Sequence, residues 1–156
     1  LAACLIVRKN FKKEDFAFNH PGGSLGRRLL LRVEDIMRED LRFPKVKESM
    51  NVKSVLLAIT RARCGSACIV DRHDKFIGIF TDGDLRRHLK TDTRLLTRKV
   101  SEVMTRNPIT VSKERLAVEA LGILQDKKID ELPVVNGKGR VVGLLDVQDL
   151  LRAGLV

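Results

Sequence analysis

Apolar and polar positions follow one another along this chain in an order that occurs twice. The apolar run 76–80, which includes one glycine, is typical of a buried strand, and the polar residues 81–84 after it predict the start of a helix. Segments 141–145 and 146–149 repeat this order, so that Gly143 corresponds to Gly78 and Asp149 to Asp84. The chain therefore contains two copies of one structural unit.

The repetition extends upstream of these strands. The segment Val-Glu-Asp-Ile-Met at 33–37 corresponds to Val-Ser-Glu-Val-Met at 100–104, and these two segments lie slightly further apart than the two strand copies do. The first copy therefore has two additional residues, which we place between Arg38 and Phe43. A period this long that occurs twice indicates a tandem domain, because solenoid repeats are shorter and need at least about three copies.

Each copy is predicted to have the order β-α-β-β-α, which makes the fold α+β. In the first copy we predict extended residues 43–46, a helix at 51–63, strands at 68–70 and 76–80, and a helix at 85–90. The corresponding segments of the second copy are 109–111, 116–127, 132–135, 141–145 and 149–153. A unit of about 60 residues leaves an apolar sheet face uncovered, so we expect the two units to pack face to face about a pseudo-twofold axis.

These patterns divide the chain into a helical leading segment at 1–30, a first repeat at 31–92 and a second repeat at 93–156. The leading segment belongs to neither repeat, and it opens inside an apolar helical pattern without an initiating methionine. We therefore expect the chain to be a piece of a longer protein.

The net charge of +10 makes a polyanion a candidate partner. However, the basic residues are scattered in pairs, and the aromatic side chains that stack on single-stranded nucleic acid make up only 4% of the chain. We therefore expect a solvated basic surface with one local anion site and no nucleic acid partner.

Three cysteines, an odd number, argue against a disulfide framework. Cys64 and Cys68 lack a second Cys or His pair at zinc-site spacing, so no metal site is expected. No apolar run approaches the roughly 20 residues that span a bilayer, and no secretory signal is recognisable. These features predict a cytoplasmic protein without a membrane partner.

Three motifs together carry a resemblance to a known family. They are Val-x-Asp-Ile-Met at 33–37, Val-x-x-Val-Met-Thr-x-x-Pro at 100–108 and Gly-x-x-Thr-x-x-Asp at 78–84. In this order they resemble tandem cystathionine-β-synthase-type (CBS) domain pairs. The resemblance implies a regulatory module of a kind that often binds nucleotides.

The leading segment carries a second resemblance. Residues 14–17 (Glu-Asp-Phe-Ala) and 20–30, which begin with His-Pro-Gly-Gly, are similar to the junction in D-arabinose 5-phosphate isomerases, where a sugar-isomerase domain precedes a CBS pair. Residues 1–30 would then be the end of that domain and a linker. The resemblance implies conversion of D-ribulose 5-phosphate to D-arabinose 5-phosphate for the octulosonate of lipopolysaccharide, a homotetramer, and no required metal or redox cofactor.

His20 is the one catalytic candidate. Its place in the His-Pro-Gly-Gly motif implies a role at the isomerase active site, where a group that titrates near neutrality helps to move a proton or to open the sugar ring. The alternative is a histidine that bonds locally to the turn. Because the other catalytic residues would lie upstream, the chain alone is expected to be inactive.

Four residues are candidates for ligand binding: Thr81, Asp84, Arg86 and Arg87. Asp84 could accept hydrogen bonds from ribose hydroxyls, while Thr81 and the helix amides could hold a phosphate that the arginines neutralise. Alternatively, Thr81 or Asp84 only caps the helix and the arginines are only solvated. The ligand would be an adenine nucleotide or a CMP-sugar.

The second copy has Asp146 where the first has Thr81. A carboxylate would repel a phosphate, so the site near Asp149 is expected to be empty or to take another ligand. The cleft at Thr81 is expected to include the other repeat and the apolar segments near Val46 and Ile109.

Two other functions remain open from the sequence. One is a nucleotide-binding or assembly module of a transporter or transcription regulator that is no enzyme. The other is a nucleic-acid-binding domain, which rests on charge alone.

Overall fold

A computed structural model describes residues 24–156, and it has two small mixed sheets flanked by helices. Helix α1 (Ser24–Leu29) and the short helix α2 (Val33–Ile36) lead into the first repeat. That repeat contains β1 (Lys45–Lys47), α3 (Val52–Ala62), β2 (Ser66–Val70), β3 (Phe76–Thr81) and α4 (Asp82–Leu89). The second contains β4 (Thr105–Arg106), β5 (Val111–Ser112), α5 (Ala117–Lys127), β6 (Glu131–Val135), β7 (Val141–Asp146) and α6 (Val147–Arg152). Single turns of 3-10 helix occupy Asp40–Arg42, Leu95–Thr97 and Val100–Glu102.

The predicted β-α-β-β-α order is confirmed in both copies. In the first copy β1 lies parallel to β2 and β2 lies antiparallel to β3; β5, β6 and β7 have the same arrangement in the second. Each hairpin has a register shift at the same place, at Ile69/Val70 and at Val134/Val135. The two units therefore share their sheet geometry in detail, as the pseudo-twofold axis requires.

Each repeat begins on the sheet of the other repeat. Strand β4, at the start of the second copy, pairs with β3 and completes a four-stranded first sheet. In the symmetric position, the backbone of Arg38 pairs with that of Leu144 on β7. The apolar cores follow the same crossing: Met104 packs in the core of the first repeat and Met37 in the core of the second. Neither repeat is complete without the other.

Two glycines allow this crossing. A Cβ atom at Gly78 would lie 2.7 Å from Met104 Sδ and 2.8 Å from the Thr105 carbonyl oxygen. At Gly143 it would lie 2.8 Å from Met37 Sδ and from the Arg38 carbonyl oxygen. Real Cβ atoms do not approach other atoms so closely. A glycine is therefore required at both places for the segments 33–38 and 100–105, which we call the lead-in segments, to reach the sheet of the other repeat.

The predicted boundaries were wrong by two or more residues at five elements. Strand β1 covers Lys45–Lys47 and not 43–46, and β2 begins at Ser66 and not at residue 68. The other three are α4, α6 and β5. Helix α4 begins at Asp82 and not at residue 85, and α6 begins at Val147 and not at residue 149, because the last residue of each preceding strand is also the helix cap. Strand β5 covers Val111–Ser112 and not 109–111, because it begins only where it meets β6, opposite Val134.

His20 lies outside the residues that the structure describes.

Candidate functional site

A cavity of about 650 Å³ lies between the two repeats at the end of β3. The first repeat contributes Gly65, Thr81, Arg86 and Arg87 to its lining, and the second contributes Thr105, Ile109, Lys128, Glu131 and Asp146. The wall therefore includes the other repeat and Ile109, as predicted. Val46 was wrongly placed in this wall: it is buried in the core of the first repeat.

Thr81 lies at the point where β3 becomes helix α4, and it caps that helix. Its Oγ1 accepts a hydrogen bond of 3.1 Å from the amide of Asp84, and the Asp84 carboxylate accepts one of 2.9 Å from the amide of Thr81. This reciprocal pair is a capping box, which satisfies amides that the first helical turn leaves free. Capping is thus observed, while a role of Thr81 in ligand binding remains a prediction.

Asp84 is buried behind Thr81, with 2% of its surface exposed. Besides the Thr81 amide, its carboxylate accepts hydrogen bonds of 2.9 Å from the hydroxyls of Thr81 and Thr105, and it forms an ion pair with Arg87. Asp84 thus ties the strand end, the helix and the lead-in segment of the second repeat together. It does not line the cavity, and Thr81, Thr105 and Arg87 surround its carboxylate.

The two arginines differ in their contacts. The Arg87 guanidinium pairs with Asp84, yet 69% of its side chain is exposed. Arg86 makes a long contact of 3.4 Å from Nε to the carbonyl oxygen of Asp82. Both line the cavity. They supply positive charge at the end of the cavity where the α4 amides begin, although their binding of an anion remains a prediction.

Glu131 brings a negative charge to the opposite wall. Its Oε1 accepts a hydrogen bond of 2.9 Å from the amide of Gly65, which joins the two repeats. Burial raises the pKa of this carboxyl, and the nearby Asp146 raises it further against the effect of the Gly65 amide. The cavity therefore has a basic end and an acidic wall that is protonated more easily than an exposed glutamate is.

The equivalent position in the second repeat is filled by a side chain of the protein. Arg38 Nε donates to both carboxylate oxygens of Asp149, at 3.1 and 2.9 Å, and its Nη2 lies 3.4 Å from Asp146 Oδ2. Its Nη1 donates to the Arg63 carbonyl oxygen at 2.8 Å and contacts Cys64 Sγ at 3.3 Å. Arg38 is therefore bonded to both acidic residues of this position, and the expectation that the position is empty or takes another ligand stays a prediction.

The charge state of this cluster is well defined. Burial alone would lower the pKa of Arg38, but its bonds to Asp149 and Cys64 raise it above its ordinary value, so the guanidinium remains positive. Burial raises the pKa of Cys64, which the bond from Arg38 only partly opposes. Cys64 is therefore a thiol, and it donates to the Arg42 carbonyl oxygen at 3.2 Å.

The residues that the sequence analysis missed include Arg38 at the second position and Thr105 and Glu131 in the cavity wall. The signal for the first two was present, because Arg38 and Thr105 follow directly after the two corresponding lead-in motifs. The crossing of the lead-in segments, which brings each residue to the other repeat, was absent from the prediction. Glu131 gave no signal, since its equivalent in the first repeat is Ser66.

The CBS domain family matches residues 33–91 and 100–156, which include both copies of the repeat. The chain belongs to the CBS domain family. The motifs that suggested this pair, and its α+β fold, are thereby confirmed.

Curated relatives of the pair extend the similarity to the leading segment. The arabinose 5-phosphate isomerase KdsD of Pseudomonas aeruginosa is 48% identical over 100% of this chain, which covers 48% of that protein. The proteins of the same name from Escherichia coli K12 and Francisella tularensis are 44% and 40% identical, and the chain covers 47% of each. The resemblance to these isomerases is thus confirmed, and the chain spans about half the length of the curated relatives it matches.

Solved CBS pairs share the fold. The CBSX2 protein in complex with AMP is 25% identical, with a TM-score of 0.67, and the match covers 80% of this chain and 96% of that one. The CBS pair of protein MJ0100, in complex with 5′-methylthioadenosine and S-adenosyl-L-methionine, is 24% identical with a TM-score of 0.70, covering 79% and 94%.

Residues 24–156 contain no group of three or more His, Cys, Asp or Glu side chains placed to hold a metal ion. None of the helices in this range combines the length and the apolar character that a membrane crossing requires.

Proposed function

We propose that this CBS pair is the regulatory half of an arabinose 5-phosphate isomerase and that it senses an adenine nucleotide in the cavity at Thr81. The observation that carries the proposal is the cavity itself. It lies between the repeats and joins a threonine-capped helix start, two arginines and an apolar wall at Ile109. Such a site suits a ligand with a phosphate at one end and a flat base at the other.

The parent protein interconverts D-ribulose 5-phosphate and D-arabinose 5-phosphate and supplies the octulosonate of lipopolysaccharide. Relatives at 40–48% identity over the whole chain, all named arabinose 5-phosphate isomerase, support this assignment. In the proposal the protein is a cytoplasmic homotetramer, a sugar-isomerase domain holds most of the active site, and His20 contributes to the proton transfer. This chain alone would not turn over substrate.

The charges along the cavity support one orientation of the ligand. Its phosphate would lie at Thr81 and the α4 amides, where Arg86 and Arg87 neutralise it, and its base would lie against Ile109. As Arg87 turns from Asp84 to the phosphate, the Asp84 carboxylate becomes free to accept hydrogen bonds from the ribose. The AMP complex of CBSX2, at 25% identity, favours an adenine nucleotide over a CMP-sugar.

A second candidate is a nucleotide-binding or assembly module of a transporter or regulator. The similarity of the whole chain, including residues 1–32 before the pair, to isomerases favours the enzyme. A nucleic acid partner would require binding whose strength falls steeply with salt. A gel shift at two salt concentrations that showed such binding would displace the nucleotide proposal.

The test is a thermal-shift titration of the chain with AMP, ATP, CMP and a CMP-sugar. A ligand that binds only the folded state adds about 2.7 kcal/mol of stability at a hundred times its dissociation constant, which gives a clear rise in Tm. We expect AMP or ATP to produce this rise and CMP to produce none. If none of the four ligands shifts Tm, the pair does not sense these nucleotides and the assembly role becomes the better assignment.

A further inference from the structure

We propose that Arg38 is the built-in occupant of the second ligand position, and that it limits each chain to one nucleotide. Only the stoichiometry part of this inference rests on the proposed function. The occupancy by Arg38 is a separate statement about the protein, and it can be tested without any nucleotide.

The two positions are equivalent residue by residue. The offset between the two strand copies relates Thr81 to Asp146, Asp84 to Asp149 and Arg87 to Arg152. In both copies the arginine pairs with the aspartate three positions before it in the chain. The frame around the aspartate is therefore the same in the two halves.

The lead-in residues differ in size and charge. Thr105 reaches Asp84 with its hydroxyl at 2.9 Å, and its equivalent Arg38 reaches Asp149 with its Nε at 2.9 Å. The symmetry holds in the backbone as well, since Asn107 and Asp40 both have positive φ, of 46° and 51°. The two additional residues of the first copy therefore follow Asp40, and they do not disturb the placement of Arg38.

Arg38 extends into the space that the first site leaves open. Two residues of the open cavity, Lys128 and Ile129, have Arg63 and Cys64 as their equivalents in the first copy. Both equivalents contact the Arg38 guanidinium, at 2.8 and 3.3 Å. The guanidinium thus touches the counterparts of the residues that a ligand would touch in the first cavity.

The occupant also explains the residue that replaces the threonine. Asp146 lies 3.4 Å from Arg38, whose side chain is only 12% exposed. A largely buried carboxylate next to Asp149 is tolerated because Arg38 bonds to both and Arg152 pairs with Asp149, so that two cations balance two carboxylates. Arg38 and Asp146 therefore belong together: they stand in place of Thr105 and Thr81 of the first repeat, and they form an internal ion pair where the first repeat has an anion site.

The first experiment introduces the residues of the first site into the second repeat. Arg38→Thr with Asp146→Thr gives the second repeat the same two threonines, aspartate and arginine as the first. By calorimetry with AMP we expect one nucleotide per chain for the natural protein and two for the double variant. The control is Arg152→Thr alone, which removes an exposed arginine that does not line the open cavity, leaves Arg38 and Asp146 in place and should bind one. Two nucleotides in the natural protein, or one in a folded double variant, would overturn the inference.

A second experiment does not depend on nucleotide binding. Arg38→Ala should unfold at a lower temperature than the natural protein, and millimolar methylguanidinium should recover part of the loss by filling the place of the deleted group. The same salt should leave the natural protein unchanged, and sodium chloride at equal ionic strength should not rescue the variant. Refolding from urea with and without methylguanidinium provides the same comparison if the variant is unstable. A variant as stable as the natural protein, or one that methylguanidinium does not help, would show that Arg38 is no occupant.

Discussion

The two equivalent positions of this molecule, at Thr81 and at Asp146, have similar backbone geometry and different side chains. At Thr81 the lead-in residue is the small Thr105, and a cavity of about 650 Å³ remains; at Asp146 the lead-in residue is Arg38, and its guanidinium is bonded on all sides. Helix caps, glycine contacts and strand registers are alike in the two halves. The comparison locates the difference between the two positions in two pairs of side chains: Thr81 with Thr105 at the first, and Asp146 with Arg38 at the second.

The largest expected effect separates the two aspartates. Asp149→Ala leaves the Arg38 cation buried without its main partner and should destabilise the protein by about 3–4 kcal/mol. Asp84→Ala removes the acceptor of the Thr81 amide and of the Thr81 and Thr105 hydroxyls, but it leaves no buried cation because Arg87 is exposed, so it should cost only about 2 kcal/mol. Urea denaturation measures both. Equal losses would mean that the two carboxylates contribute equally to stability and that the bond to Arg38 adds nothing to the contribution of Asp149.

Substitution of the two strand glycines, Gly78 and Gly143, should destabilise the protein by equal amounts. Gly78→Val and Gly143→Val each place a side chain against a methionine and a backbone carbonyl of the crossing segment, and each should cost about 2–3 kcal/mol. Gly122→Ala is the control, because a Cβ there meets no atom within 4 Å and alanine favours the helix by up to about 1 kcal/mol. A loss at only one of the two strand glycines would contradict the symmetric crossing.

A smaller effect concerns the acidic wall of the open site. The raised pKa of Glu131 means that its ionised form is disfavoured in the folded protein. Its contribution to stability is therefore full below the pKa of the unfolded chain and declines as pH rises through the folded value. Glu131→Gln keeps an acceptor for the Gly65 amide and should stabilise the protein at neutral pH, but not in acid. Urea denaturation of variant and natural protein across this pH range measures the difference, and a gain that is equal in acid would contradict the charge explanation.

The same variant should also affect ligand binding. Because it removes a negative charge from the cavity wall, Glu131→Gln should bind AMP several-fold more tightly at neutral pH and show a smaller difference in acid, as calorimetry at the two pH values would measure. Glu119→Gln, at an exposed position of α5, is the matched control. A difference between variant and natural protein that does not change with pH would exclude the carboxylate charge as its cause.

Much of the fold followed from the sequence because the pattern that specifies it is local. The run 76–80 and the polar residues after it determine a strand, a cap and a helix within a dozen positions, and its second copy confirms the reading. The helix starts were displaced by two or three positions, since a capping box includes residues that the hydrophobic pattern does not mark.

The site was less accessible to such reasoning because it is made by residues distant in the chain. Thr81 was found from its motif, but Thr105 and Glu131 reach the cavity only through the packing of the second repeat on the first. Arg38 lies far before Asp146 and Asp149 in the chain, yet it bonds to both. Its contacts depend on the crossing of the lead-in segments, and the pattern of apolar residues in the sequence does not predict that crossing.

The most direct test of the central claim is calorimetric titration of AMP into three forms of the chain. Thr81→Asp gives the open site the residue of the filled one and places a carboxylate at the proposed phosphate position, while Asp at this position can still cap the helix, as Asp146 does. Thr81→Ser is the control that keeps the hydroxyl. We predict that the natural chain and Thr81→Ser bind AMP. Thr81→Asp places a second carboxylate beside the buried Asp84 without a cation like Arg38, so it should be less stable but folded at the titration temperature, and it should bind AMP at least a hundred-fold more weakly. Equal binding by all three would contradict a nucleotide site at Thr81.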